Sequence, residues 1–214
     1  MTTSEYLCFG VIGLIILVVF VWRFASRRYS LPCPVWLRWL VELDNPFTKT
    51  NRAGVIIQHL GLQPGMTVLD IGCGPGRLTI PVARQVGPHG DVVAMDIQPG
   101  MLRRAQEKAQ AANLNNIRFL QASVGDGQLA VGRADRALLV TVLGEIPNRE
   151  AALGELFAAL KPGGVLSVTE IIFDPHFQSR DTVVRLAGAV GFIEKAFFGN
   201  RLAFTLNLEK PDGG

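Results

Sequence analysis

The run VLDIGCGPG, Val68 to Gly76, constrains this chain more than any other stretch. A short β-rich segment, Thr67 to Ile71, passes directly into glycines at 72, 74 and 76, and a helical stretch follows. Glycines at such a junction let the backbone turn tightly and let a ligand touch the main chain, with the helix N-terminus facing it. Two other phosphate-binding loops are excluded. The dinucleotide pattern G-x-G-x-x-G needs glycine at 77, where Arg77 stands, and no Gly-Lys-Ser/Thr follows to make a Walker loop.

A second element completes the pattern. Asp96 closes the run DVVAMD twenty residues beyond Gly76. An acid at the end of the neighbouring strand accepts both hydroxyls of a ribose, and Ile97 beside it is placed to lie against an adenine ring. An isolated glycine loop is no more than a tight turn. With Asp70, Asp96 and the strand context, it points to an adenosine-containing cofactor.

The surrounding sequence alternates strand-like and helix-like segments. Strands are expected at 67–71, 91–96, 117–121, 134–140 and 165–170, and helices at 49–61, 76–86, 99–112 and 148–160. Continuous apolar strands joined by helices imply a parallel sheet covered on both faces. Pro99 suits a helix start, and Pro162-Gly163-Gly164 suits a helix stop. The chain then changes character: a helix over 180–190 precedes two apolar runs around Gly199-Asn200, a hairpin signal. Five parallel strands closed by a C-terminal antiparallel hairpin is the expected architecture.

With DIGCGPG, Asp96 and the LKPGG run Leu160 to Gly164 in place, the sequence resembles the class I S-adenosylmethionine-dependent methyltransferases, nearest the ubiquinone/menaquinone-methyltransferase-like group. The resemblance covers roughly residues 49–211. It implies an α/β, Rossmann-like seven-stranded mixed sheet of order 3-2-1-4-5-7-6, strand 7 antiparallel, with helices on both faces. It also implies S-adenosylmethionine as cofactor, with Asp70 and the loop Gly72, Cys73, Gly74 and Gly76 around its methionyl part and Asp96 on its ribose. Where the family carries an acid for the adenine amino group, this chain has Ser123, followed by Val124 and, further on, Asp126. Ser123 can still make one hydrogen bond there, Asp126 is within reach of the same region, and a main-chain contact at Val124 needs no particular side chain.

In an open α/β sheet the reacting groups lie beyond the carboxyl ends of the strands. Candidates are therefore Thr141 to Pro147, with Thr141 assigned to the cofactor, and Glu170 to His176. Methyl transfer from a sulfonium chiefly requires alignment, and a base is needed only where the acceptor loses a proton. Glu145, Glu170 and His176 are the catalytic candidates, and Asp174-Pro175 reads first as a turn. Each has a plainer reading as a cap, a rim residue or a surface-loop histidine.

Upstream, Tyr6 to Trp22 is seventeen residues without a charge. At about 1.5 Å per residue it reaches roughly 25 Å, the lower limit for a bilayer core. With Phe24 and Ala25 added, a transmembrane helix is expected over 6–25, with membrane lipid as a partner. A cleaved signal peptide fits less well, because MTTSEY carries no basic residue. A buried core helix would show a polar stripe. Arg23, Arg27 and Arg28 on the C-terminal flank imply a single pass with the main domain, residues 45–214, on the cytoplasmic side. Between them, 30–44 contains an apolar face of Trp36, Leu40 and Leu43, which suits either the membrane interface or the domain surface.

Composition narrows the partners. A net charge of +3, with no run of basic residues, argues against nucleic acid. Three cysteines at wide spacing, Cys8, Cys33 and Cys73, give neither a disulfide framework nor a metal site. The expected protein is a membrane-anchored methyltransferase acting on a lipophilic small molecule such as a quinone, isoprenoid or lipid head group. The alternatives are an enzyme for a soluble metabolite or thiol, and a tethered cofactor-binding scaffold without catalysis.

Overall fold

The computed structural model describes residues 49–130 and 132–212 and, upstream of them, residues 6, 9–11, 13, 14, 17, 18, 20, 21, 24–26 and 42. After a 3-10 turn at Lys49–Asn51, the elements in chain order are α1 (Ala53–Leu60), β1 (Thr67–Ile71), α2 (Thr79–Val86), β2 (Asp91–Asp96), α3 (Pro99–Ala111), β3 (Ile117–Gln121), β4 (Ala134–Val140), α4 (Arg149–Ala159), β5 (Leu160–Ile171), α5 (Arg180–Ala189), β6 (Ile193–Gly199) and β7 (Ala203–Glu209). One seven-stranded sheet runs in the order β3-β2-β1-β4-β5-β7-β6. Its first five strands are parallel, and β7 is antiparallel to both β5 and β6. The sheet and its order are those that the glycine loop and the terminal hairpin imply.

Alternation along the strands sorts side chains onto two helical layers. Val68, Val92 and Leu138 face α1 and α2, packing on Ile56, Leu60, Val82 and Val86. Leu69, Val93, Ala137 and Val168 point the other way, toward Leu153 and Leu156 of α4 and Val183 and Ala187 of α5. Both faces of the central strands are thus dry, which explains their unbroken apolar character. Phe204 of β7 is fully buried and meets the rings of Phe177 and Phe197.

Local differences from the expected elements have identifiable causes. The leading helix is broken at Arg52, where the backbone is extended, and α1 ends on Gly61 in the left-handed region. Arg77 holds the preceding turn, donating to the Asn51 carbonyl (2.7 Å) and to Asn51 Oδ1 (3.2 Å). The helix after the glycine loop starts at Thr79, three residues later than expected from Gly76. β5 starts at Leu160, so the Pro-Gly-Gly run lies inside the strand: Leu160 pairs with Ala134, and the register shifts between Ala134 and Arg136.

The transmembrane helix expected over 6–25 is not found: among the described residues no helix is long and apolar enough to cross a membrane. The described residues among 6–25 are helical; the other positions of that segment lie outside the described residues. Of the 30–44 segment only Glu42 is described. It pairs with Arg104 (3.0 Å) and Lys108 (3.2 Å) of α3, so this side chain contacts the domain.

Replacing Phe204 with alanine removes a fully buried ring from the junction of β7 and the loop carrying Phe177. The expected loss is about 3–5 kcal/mol of unfolding free energy, measured by denaturant titration of wild type and variant. A loss below about 1 kcal/mol would contradict the packing described.

Candidate active site

The site begins with backbone geometry. Gly72, Gly74 and Gly76 have φ of 65°, 53° and 79°, a region that side chains resist. At Gly72 space is also closed, since a Cβ would lie 2.4 Å from Val142 Cγ2. The loop is tied to the next strand by main-chain donors. Cys73 N–H donates to the Met95 carbonyl (3.0 Å), and Gly74 N–H donates to Asp96 Oδ2 (2.9 Å). Gln98 N–H donates to Asp96 Oδ1 (2.8 Å), so each carboxylate oxygen is oriented by one amide and retains acceptor capacity. Burial raises the Asp96 pKa, opposed by these same backbone donors.

Three residues assigned to the cofactor from sequence shape this loop from behind and do not line the cavity. Asp70 is buried and accepts from Thr79 Oγ1 at 2.6 Å, joining β1 to the start of α2; burial pushes its pKa up to about 6. Cys73 packs with Ala94 and Leu102 under α3, and burial pushes its thiol far above the usual range. Gly76 lets α3 approach, because a Cβ there would sit 3.0 Å from that of Ala105. They stand in the turn itself.

A cavity of about 240 Å³ opens over the carboxyl ends of β1, β2 and β4. Gly72, Gly74, Asp96, Ile97, Ser123, Val124 and Thr141 all line it. This is the point where strand order reverses, β1 lying between β2 and β4. Thr141 is held at φ 55°, unusual for a β-branched residue, with its N–H donating to the Thr169 carbonyl (2.8 Å). Asp126 is exposed and outside the cavity wall, so the wall near Ser123 carries no acid for adenine. The loop there is held by Glu155 of α4, whose carboxylate accepts from the N–H groups of Gly125 and Leu129. Sequence reasoning missed Glu155, which reads as one more surface acid of an amphipathic helix.

The opposite wall brings together the loops after β4 and β5. Glu145, Asp174 and His176 all line the cavity. His176 Nδ1 lies 3.7 Å from Glu145 and 3.8 Å from Asp174. Gly144 makes this possible: a Cβ there would fall 1.9 Å from the His176 carbonyl oxygen, so only glycine lets the loops touch. His176 N–H donates to Asp174 Oδ1 (2.7 Å), and its carbonyl accepts from Gln178 Nε2 (2.7 Å). Burial, then the neighbouring charges of Asp174 and Asp96, push the Glu145 pKa up to about 8. Glu170 lies behind the wall in β5, 1% exposed, accepting from Gln178 N–H (3.1 Å). It supports the loop and does not reach the cavity.

The charges on the wall discriminate among ligands. Asp96, Glu145 and Asp174 line it, and among the described residues no lysine or arginine does. Such a surface repels phosphates and suits a cation such as a sulfonium. Together with the oriented Asp96 and the exposed glycine main chain, it fits S-adenosylmethionine.

Comparison with known proteins agrees. A methyltransferase-domain family matches residues 62–198. The chain belongs to that family. S-adenosylmethionine is accordingly its cofactor. Among curated relatives, a ubiquinone/menaquinone biosynthesis C-methyltransferase, UbiE, of Shewanella pealeana is 33% identical over 121 residues, covering 56% of this chain and 48% of the relative. A demethylmenaquinone methyltransferase of Listeria monocytogenes is 30% identical over 106 residues, covering 50% of this chain and 45% of the relative. The chain thus spans about half the length of the curated relatives it matches. A solved S-adenosylmethionine-dependent methyltransferase from Aquifex aeolicus shares the fold, with a TM-score of 0.74 and 22% identity over 84% of this chain and all of that one.

Glu170 generates a pH prediction. Burial raises its pKa from 4.5 to about 8, so between these values the folded protein holds a proton that the unfolded chain releases. Its contribution to stability is full below the lower value and is lost as pH rises through the upper one. In Glu170→Gln this part of the fall should vanish, giving a relative gain of about 2–4 kcal/mol at alkaline pH, measured by denaturant titration from pH 5 to 9. Glu145 shifts in the same direction and remains in the variant, so some slope persists. Parallel curves for the two proteins would contradict a buried, protonated Glu170.

Proposed function

We propose that this protein transfers a methyl group from S-adenosylmethionine to a lipophilic quinone-type acceptor at a membrane. The observation that carries the reading is a single cavity with a cofactor cradle on one wall and the Glu145–His176 pair on the other. When bound, the sulfonium supplies a methyl group open to in-line displacement. Asp96 holds the ribose through oxygens already oriented by Gly74 and Gln98. Met101, Val142, Ile146 and Pro147 line the cavity with apolar surface that excludes water and accepts a hydrophobic ring. His176 takes a hydroxyl proton from a reduced, phenol-like acceptor, which raises electron density on the ring. Glu145, protonated at neutral pH, acts as a hydrogen-bond donor to the acceptor. The names of the curated relatives support a quinone and a carbon target.

Membrane attachment through the N-terminal segment, with the catalytic domain on the cytoplasmic side, completes the proposal. Its support is the apolar sequence of 6–25 and the exposure of its described side chains, including Phe9, Leu14 and Phe20, all more than half open to solvent. An anchor keeps the site near acceptors dissolved in the bilayer and raises their effective concentration. Arsenite is less well supported as an acceptor, because among the described residues the one cysteine, Cys73, is buried and packs with Ala94 and Leu102.

Two measurements test this. Incubation with methyl-labelled cofactor, a membrane lipid extract and a set of soluble metabolites should place the label on a quinone fraction; label confined to soluble products would overturn the acceptor assignment. Asp96→Ala should weaken binding of S-adenosylhomocysteine by about 1–3 kcal/mol in calorimetry, and unchanged affinity would remove Asp96 from the cofactor site.

A further inference from the structure

Outside the cofactor half of the site, one contact joins the N-terminal segment to the reacting groups. Ser26 is fully buried, lines the cavity, and lies against His176 across 150 residues of chain. Its carbonyl oxygen stands 2.8 Å from His176 Nε2, and its Oγ stands 3.3 Å from the same nitrogen. Two positions earlier Phe24 is exposed, so the segment meets the domain at this point.

We propose that Ser26 is a positioning residue of the acceptor site, which sets the tautomer and orientation of His176 through its main-chain carbonyl. A carbonyl oxygen only accepts, so the nitrogen facing it must carry the proton. Neutral His176 is therefore the Nε2–H form, and Nδ1 holds the free lone pair. Nδ1 is buried without a hydrogen-bond partner among the described residues, on a side chain that lines the cavity. An orphaned acceptor of this kind is costly unless a donor arrives, and the donor that fits is the acceptor molecule's own hydroxyl.

Ionisable groups face the ring from several elements. Glu145 comes from the loop after β4 and Asp174 from the same loop as His176. Behind them stand Glu170 of β5, Asp96 of β2 and Arg149 of α4, the last donating to the carbonyls of Leu143 and Gly144. The step balances for a carbon target: the hydroxyl proton moves to Nδ1, the oxygen pair folds into the ring so that a ring-carbon pair bonds the methyl carbon, and the carbon–sulfur pair stays on sulfur, which becomes neutral; the ring carbon's hydrogen then leaves as a proton. The imidazolium returns its proton to the ring oxygen, and the one proton released to solvent is the one lost from the ring carbon. The N-terminal segment is thereby a wall of the site as well as an attachment. The inference rests on the methyltransferase reading only for the reaction that uses the proton; the tautomer is independent of it.

The test uses the full-length chain in lipid nanodiscs with nitrogen-15-labelled histidine. The chain has three histidines, so His176→Gln assigns the signals. Wild type and Ser26→Ala, which keeps the carbonyl, should both show Nε2 protonated and Nδ1 bare. Ser26→Phe, whose bulk displaces the carbonyl, should lose that preference and shift the pH profile of kcat, with kcat lowered about tenfold or more. Its affinity for S-adenosylhomocysteine should stay within about twofold of wild type, which shows that the domain is folded. An Nδ1–H tautomer in wild type, or a tautomer and pH profile unmoved in Ser26→Phe, would overturn the proposal. Failure of wild type to bind S-adenosylhomocysteine would instead overturn the cofactor reading and leave the tautomer result standing.

Discussion

Asp96 accepts hydrogen bonds from the amides of Gly74 and Gln98, and through them the tips of β1 and β2 become one surface. Without that carboxylate, two N–H groups would lose their partners and the glycine loop its tether to the second strand. Gly74 makes this contact from the left-handed region, at φ 53°. Gly72 against Val142 then ties the loop to the end of β4. A cavity at the β1/β4 switch point results from these links and needs no contribution from the distant hairpin.

The acceptor half depends on a different constraint, the contact of two loops across Gly144. Once the His176 backbone occupies the space a side chain would fill, Glu145, Asp174 and His176 share one wall. Three acids around a cavity without a lysine or arginine on its described wall are mutually unfavourable. The site relieves this by keeping Glu145 protonated at neutral pH, and a bound sulfonium would relieve it further. Fold alone does not prescribe the chemistry, since a [4+2]-cyclase, SpnF, has the same architecture at a TM-score of 0.66 and 16% identity.

Much of the fold and of the cofactor cradle is legible in the sequence because the signals are local. Strand, glycine turn and helix occupy roughly twenty consecutive residues, and the Gly199-Asn200 hairpin declares itself within its own turn. β5 reads too short because Pro-Gly-Gly is a helix-stopping run, while the pairing of Leu160 with Ala134 that extends the strand is a tertiary event. Asp70 reads as a cofactor ligand because it adjoins the loop; its direction, toward Thr79, depends on where α2 packs. Glu170 looks like a rim acid because it stands near the end of a strand, and it is a buried support because β7 covers it, pairing Phe204 opposite. The Ser26–His176 contact spans 150 residues and carries no local pattern at all.

A crystal structure of the protein with S-adenosylhomocysteine tests the central claim most directly. The ribose hydroxyls should lie on Asp96, the methionyl chain against the main chain of Gly72 and Gly74, and the sulfur should be directed at the space before His176. A ligand bound elsewhere, or bound here with Asp96 turned away from the ribose, would contradict that assignment.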